Sequence, residues 1–192
     1  VKIDYISIVF DTATAEDVIR HILCLPTDIF NVYPATVKFK TYQARWEIGD
    51  IYVSGDAKKT EDNPQGLGCY LVMTGRGCDD IFRILDNNGL TFGDMFGRCE
   101  RRYGAGNYHF TRLDVAIDDR NETPFFTIEQ IKKKCEKEEF IANSEGYHFD
   151  ESKFDDFDTA KTVYIGAGKS GLSYRFYDKD KDCLLYTSPS PR

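Results

Sequence analysis

Hydrophobic and polar positions alternate most cleanly over residues 111–119, TRLDVAIDD. The two-residue period predicts a strand with Leu113, Val115 and Ile117 on a core face and Arg112, Asp114, Ala116 and Asp118 on the other. Two carboxylates thus come from one face, about 13 Å apart if the strand is straight, with Asp119 and Arg120 at its end. Residues 4–12 alternate the same way, Tyr5, Ser7, Val9 and Asp11 opposite Ile6, Ile8 and Phe10. A helix is predicted next, capped by Thr14, with Asp17 in its first turn and Val18, Ile19, Ile22 and Leu23 at helical spacing until Pro26. Residues 36–42 and 46–54 are rich in β-branched and aromatic residues, and Gly49-Asp50 and Gly55-Asp56 read as turns. A polar loop over 57–66 leads to a continuous apolar run, GCYLVMT at 68–74, which suits a buried strand.

After Gly75-Arg76-Gly77 a short helix presents Ile81, Phe82, Ile84 and Leu85 and stops at Asn87-Asn88-Gly89. A second is capped by Thr91, carries Phe92, Met95, Phe96 and Cys99, and gathers Arg98, Arg101 and Arg102 at its end, suited to a helix C-terminus or to a phosphate. Thr127-Ile128-Glu129-Gln130 matches a capping box, with Ile128, Ile131 and Cys135 inward and Lys132, Lys133 and Lys134 largely outward. Residues 141–162 are polar and acidic without a period and read as a loop. Residues 162–165 and 172–179 read as strands joined around Gly166 to Gly171. The elements predict an α+β fold of mainly antiparallel sheets with flanking helices. Aligning Ile6 with Leu113, Ser7 with Asp114, Ile8 with Val115 and Asp11 with Asp118 also allows a duplicated β-α-β-β unit.

Composition narrows the function. With 192 residues, 41% hydrophobic and 14% aromatic, the chain can bury a core. It has no apolar run long enough for a membrane span and is expected to be cytoplasmic. The six cysteines fall singly, with no zinc spacing, and are expected to be reduced and mostly buried. A net charge of -7 disfavours nonspecific coating of nucleic acid, which depends on clustered Lys and Arg, but leaves local contacts open. Residues 183–192, CLLYTSPSPR, break the preceding pattern and resemble a translated sequencing adaptor, so the expected domain is 1–182.

Three patterns offer chemistry. On the acidic strand, Asp114 and Asp118 could hold a cation, or merely guard a sheet edge. In YRFYDK at 174–179, Arg175, Tyr177 and Lys179 share a face, so a phenol between two cations becomes a candidate nucleophile. The alternative is a half-buried aromatic with solubilising neighbours. Gly166-Ala-Gly168-Lys-Ser-Gly171 ends like a phosphate loop, but Val163 stands where its first glycine belongs and a strand follows instead of a helix. Lys169 and Ser170 could still touch a nucleic-acid phosphate. His21, His109 and His148 are far apart, though His109 adjoins the acidic strand, and Asp155, Asp156 and Asp158 lack the glycine and glutamate of a calcium loop.

Taken in order, GCYLVMTGRGC (68–78), TRLDVAIDD (111–119), TVYIGAGKSG (162–171) and YRFYDK (174–179) resemble the replication initiation factor family, the rolling-circle initiators of small plasmids and phages and related relaxases of integrative conjugative elements. The resemblance covers nearly all of 1–182. It implies a nickase that cuts one strand of origin DNA through a tyrosine, with Mg²⁺ or Mn²⁺ and without a His-hydrophobe-His motif. By motif match Tyr177 falls on the nucleophile and Asp114 on an acidic active-site position. Asp118 is then a second metal candidate, Arg175 and Lys179 charge stabilisers, and Arg112, Lys169 and Ser170 candidate DNA contacts. A host helicase and polymerase are implied partners, and a homodimer is among the assemblies it allows. Members continue past the tyrosine strand, so the domain is expected to be incomplete at its C-terminus. Two other readings fit the same residues: a phosphodiesterase that activates water, and a noncatalytic module that stacks single-stranded nucleic acid on an open sheet.

Overall fold

The computed structural model describes residues 1–34, 41–139, 146–154, 157–166 and 171–178. The chain divides into two compact units, Val1–Asp118 and Asp119–Arg192. The fold is α+β, with one large and one small antiparallel sheet, as the pattern predicts.

In the first unit β1 (Lys2–Phe10), β2 (Asn31–Pro34), β3 (Tyr42–Ile48), β4 (Ile51–Ala57), β5 (Cys69–Met73) and β6 (Tyr108–Ala116) form one sheet in the order β2-β3-β4-β5-β1-β6. Every neighbouring pair is antiparallel. The β3–β4 hairpin closes in two residues, Gly49 supplying the positive φ of 53° that such a turn takes at its first position. The helices that accompany the sheet are α1 (Ala15–Val18) running on as a π turn over Ile19–Leu23, a 3₁₀ turn over Thr27–Ile29, α2 (Gly75–Asn87) and α3 (Phe92–Tyr103). Thr14 accepts from the Asp17 amide, and Thr91 and Asp94 form a reciprocal capping box, so both predicted caps are made.

The apolar half of each alternation forms the core. Ile6, Ile8 and Phe10 of β1, Val53 of β4 and Leu71 and Met73 of β5 are fully buried with Val18, Ile19, Ile22, Ile81, Met95 and Cys99 from the helices. Each such side chain contributes about 1.5–3 kcal/mol relative to exposure. Two glycines permit the close approach. A Cβ on Gly55 would stand 2.5 Å from Cβ of Ala15, and one on Gly77 would stand 2.3 Å from the carbonyl oxygen of Asp50. Cys69, Cys78, Cys99 and Cys135 are buried, as expected, and Cys24 is exposed; none of these five is in a disulfide. Among the described residues, no helix is long and apolar enough to cross a membrane.

In the second unit α4 (Ile128–Glu136) is capped by the predicted Thr127–Gln130 box and precedes β7 (Tyr147–Phe154), β8 (Phe157–Ile165) and β9 (Tyr174–Tyr177), a sheet in the order β7-β8-β9. Ile128, Ile131 and Cys135 pack with Val163, Ile165, Phe149 and Phe176. The sequence order of a strand, a helix and further strands thus occurs twice, from β1 and again from β6.

The structure corrects several expectations. The strand predicted over 111–119 begins three residues earlier and ends at Ala116, with Thr111 forming a bulge opposite the Ser7–Ile8 step. Its aliphatic face is covered only at its start, where Tyr108 packs on the core and Phe110 meets Phe96 of α3; further along this edge strand Leu113 and Val115 are 45% and 57% exposed, and Ile117 beyond it 76%. The loop predicted over 141–162 contains the β7–β8 hairpin, where acidic side chains disguised a two-residue alternation. The helix expected after Gly75-Arg76-Gly77 includes all three residues. Strand β2 was not predicted. The segment 35–40, Asp155, Asp156 and the tail 183–192 lie outside the described residues.

Candidate nucleic-acid interface

Because the apolar half of each strand faces the helices, the other half forms a second surface on the first unit. Strand register arranges it in rows. One row runs Glu47, Tyr52, Val72, Ser7 and Arg112, and the next runs Tyr33, Arg45, Ser54, Tyr70 and Val9. Tyr5 pairs with Asp114 in a third. Ser7 and Ser54 are buried between half-buried Tyr5, Tyr52 and Tyr70.

Two arginines lie over tyrosine rings on this surface. The Arg112 guanidinium carbon is 4.4 Å from the Tyr5 ring centroid, and that of Arg45 is 4.2 Å from the Tyr52 centroid. Each is also paired with a carboxylate two residues along its own strand, on the same face. Arg112 grips Asp114 at both oxygens, Nε donating to Oδ1 at 2.8 Å and Nη2 to Oδ2, and this partner raises the Arg112 pKa. Arg45 meets Glu47 at 2.9 Å, while its Nε is buried without a hydrogen-bond partner. Ring face and carboxylate therefore hold this side chain, not a wider network. Burial raises the pKa values of Tyr5 and Tyr52, and the Tyr52 hydroxyl donates to Asp50 at 3.2 Å.

The second sheet has the same logic. Phe149, Val163 and Phe176 face α4, so the cross-strand rows His148–Tyr164–Arg175 and Asp150–Thr162–Tyr177 occupy the opposite face. The Arg175 guanidinium carbon lies 4.4 Å from the Tyr177 ring centroid and 5.7 Å from that of Tyr164. His148 Nε2 is 2.6 Å from Asp150 Oδ1 on this face.

The predicted residues fare differently. Tyr177 and Arg175 share a face in contact, as expected; Lys179, Lys169 and Ser170 lie outside the described residues. Asp114 and Arg112 share a face in contact. Asp118 follows the end of β6, so strand periodicity does not place it beside Asp114; its charge acts on Lys2. Asp119 organises a turn, accepting from the amides of Asn121 and Phe125, which hold its carboxyl below the usual range. Of the three arginines closing α3, Arg98 donates to the Ile22 carbonyl and Arg102 grips Asp17, so these two tie α3 to the first helical segment. His109 is an exposed residue of β6. Sequence reasoning gave no role to Arg45, Tyr52, Tyr70, Tyr164 and His148. Their signal was the polar half of each alternation, which becomes informative only once strand order sets those halves side by side.

The chemistry suits flat, unpaired bases better than a duplex. Rings and guanidinium planes offer stacking surfaces, and the carboxylate partners neutralise the arginines that would otherwise seek phosphates. The described donors do not by themselves complete a divalent-cation site. Among the described residues no three His, Cys, Asp or Glu side chains converge, and both Asp114 oxygens already accept from Arg112.

Comparison with known proteins divides the chain earlier than its compact units do. Residues 1–98 match the family model described as the rolling circle replication initiation protein N-terminal domain, and residues 108–187 match that of the replication initiation factor. The second match begins at the first residue of β6, a strand that completes the sheet built by the first. A solved rolling circle replication initiator protein from Geobacillus stearothermophilus has the same fold: TM-score 0.72 at 22% identity, covering 95% of this chain and 68% of that one. No curated protein matches. The first family model alone spans half of the 192 residues, and with the second it carries the conclusion that the chain belongs to the replication initiation factor family.

Proposed function

We propose that this chain initiates rolling-circle replication or conjugative transfer by nicking one strand of origin DNA, with Tyr177 as nucleophile, as part of a catalytic domain over 1–182. The observation that carries the reading is the Arg175 guanidinium lying on the Tyr177 ring, on the face of β9 turned away from α4. Membership of a family of replication initiators supports the substrate class.

In the proposed reaction the Tyr177 phenolic oxygen attacks phosphorus in a locally single-stranded segment and gives up its proton. An Oη–P bond forms and the P–O3′ bond breaks. The 3′ oxygen leaves and takes up a proton, so the DNA retains a 3′-hydroxyl while its 5′-phosphate stays on the tyrosine. The linkage energy is conserved in the phosphotyrosyl bond. Arg175 donates to the phosphate oxygens as charge develops, a task its planar fork performs better than a point charge. Lys179 is assigned the same role, and Lys169 and Ser170 phosphate contacts.

Asp114 is the carboxylate we assign to Mg²⁺ or Mn²⁺, with Asp118 as a second candidate; such an ion would need further donors, from the DNA or from residues outside those described, and would supply polarisation of a bound phosphate. Holding it would require Arg112 to release an Asp114 oxygen, and the guanidinium would then be available to the DNA. Origin DNA is the partner this chemistry demands. A helicase would extend the single-stranded region and a polymerase would elongate the 3′-hydroxyl, and a homodimer would supply a second tyrosine.

The test is a denaturing gel. Wild-type protein should leave a DNA band that survives boiling in detergent, and Tyr177→Phe should bind the same DNA without it. Cleavage without any covalent band would favour activated water instead, and undiminished adduct in Tyr177→Phe would reject the assignment.

A further inference from the structure

The mechanism uses Arg112 and Tyr177 but gives no task to the second Arg–Tyr stack on the first sheet. We propose that Arg45 and Tyr52, on the β3–β4 hairpin, form a base-stacking subsite for single-stranded DNA away from Asp114. The proposal rests on the reading of the substrate as a single strand.

The two stacks are built alike. In each, an arginine on one strand crosses diagonally onto a tyrosine of the next strand, Arg45 on β3 to Tyr52 on β4 and Arg112 on β6 to Tyr5 on β1. In each, a carboxylate two residues along neutralises the arginine. The acid therefore engages Nη2 of each guanidinium and the ring lies against its inner face, while Nε of Arg45 is buried away from any ligand. What remains is the outer face of a planar cation, a surface on which a base stacks whatever its sequence. Phosphate recognition would need the opposite arrangement, with unpaired donors pointing outward.

Strand geometry gives the spacing. Tyr52 and Tyr5 are two strands and one row apart, which places their Cα atoms about 12 Å from each other. That exceeds the roughly 3.4 Å step of stacked bases. Bases on the two arginines are therefore not stacked neighbours, and at least one nucleotide lies between them. Val72 and Ser7, which separate the two stacks in the row, are small enough to leave the strand between them uncrowded. The subsite would hold sequence flanking the nick and fix how far from it the protein grips.

Fluorescence anisotropy with a labelled oligodeoxythymidylate, in EDTA so that binding is separated from cleavage, tests this on the whole chain. Tyr52→Ala should bind between about five- and a hundredfold more weakly, and Tyr52→Phe, which keeps the ring and loses only the bond to Asp50, should bind like wild type. Wild-type affinity in Tyr52→Ala, or equally strong competition by duplex DNA, would overturn the proposal. Should Tyr52→Ala fail to fold, photocrosslinking of the unaltered protein to oligonucleotides carrying 5-iododeoxyuridine decides. The hairpin should be labelled from a nucleotide not adjacent to the one that labels β1, and labelling confined to β1 and β6 would refute it. Loss of the covalent adduct with Tyr52-dependent binding intact would defeat the nickase reading alone. A normal adduct with Tyr52-independent binding would defeat this subsite alone.

Discussion

Gly77→Ala probes the contact that sets the sheet beneath its helices. Gly77 lies in the first turn of α2, and an added Cβ would stand 2.3 Å from the Asp50 carbonyl oxygen, 2.8 Å from its carbon and 3.2 Å from Cγ1 of Ile51. The obstacle is backbone, and it is held. The Asp50 carbonyl accepts from the Thr74 amide just before the helix, and Ile51 is a buried core residue. Neither the turn nor the helix can move without breaking that bond or opening the core. Overpacking of this kind costs about 1–3 kcal/mol, and the upper half applies because no rotamer can relieve it. Alanine's better helix propensity returns about 1 kcal/mol, leaving a net loss of about 1–2 kcal/mol. For a unit of this size each kcal/mol lowers the midpoint by roughly 4–8 °C, so thermal unfolding followed by circular dichroism should drop by about 5–15 °C. Unchanged or higher stability would refute this account of how α2 seats on the β3–β4 turn.

Arg175→Ala should slow adduct formation about 10²–10³-fold if its donors meet the developing charge, with Arg175→Lys intermediate; single-turnover kinetics read this, and an unchanged rate would remove Arg175 from the chemistry. Chelation with EDTA should abolish the adduct and added Mg²⁺ or Mn²⁺ restore it, whereas adduct formation in EDTA would dismiss the metal role of Asp114. Asp17→Asn should destabilise the first unit by about 1 kcal/mol, discounted for partial exposure, as measured by urea unfolding at neutral pH. Hydrogen bonds from Arg102, and then from Tyr103, hold the Asp17 carboxyl below its usual range against an opposing effect of burial. A depressed folded pKa gives stability that is present above the unfolded value of about 3.9 and lost as pH falls through the folded value. The gap between wild type and Asp17→Asn should therefore close in acid, and a gap that persists there would refute the assignment.

What the sequence made legible was whatever local physics decides. Thr14, Thr91 and Thr127 cap as predicted because a cap needs only a few neighbouring residues. Strand β5 is predicted correctly because its short run is apolar throughout, although only Cys69, Leu71 and Met73 are buried and Tyr70 and Val72 are half-buried. The aliphatics of β6 failed because alternation reports two unlike faces but not whether a helix covers the apolar one. An edge strand keeps the pattern while losing the burial. Residues 147–154 failed for the converse reason: Tyr147 and Phe149 alternate with His148 and Asp150, but the surrounding acid count outweighed so short a period. At the candidate site, Arg175 with Tyr177 and Arg112 with Asp114 were legible because both are i, i+2 pairs on one strand. Arg45 over Tyr52 was not, since it depends on a register that only the folded hairpin provides.

The faces turned from the helices carry more functional information than the core for a physical reason. The buried side of each strand is constrained by volume and apolarity, and Ile6, Val53 or Leu71 would serve any function this fold supports. The other side needs only to be soluble, a need met by lysine, glutamate or threonine. Tyrosine in quantity is a poor choice for that purpose, and an arginine laid over each ring instead of extended into water is poorer still, since it gives up hydration and rotamer freedom. The stacks on Tyr5, Tyr52 and Tyr177 thus recur where folding does not ask for them. On each sheet separately the product is a ring-and-guanidinium surface of the kind the proposal assigns to an unpaired base instead of a closed duplex.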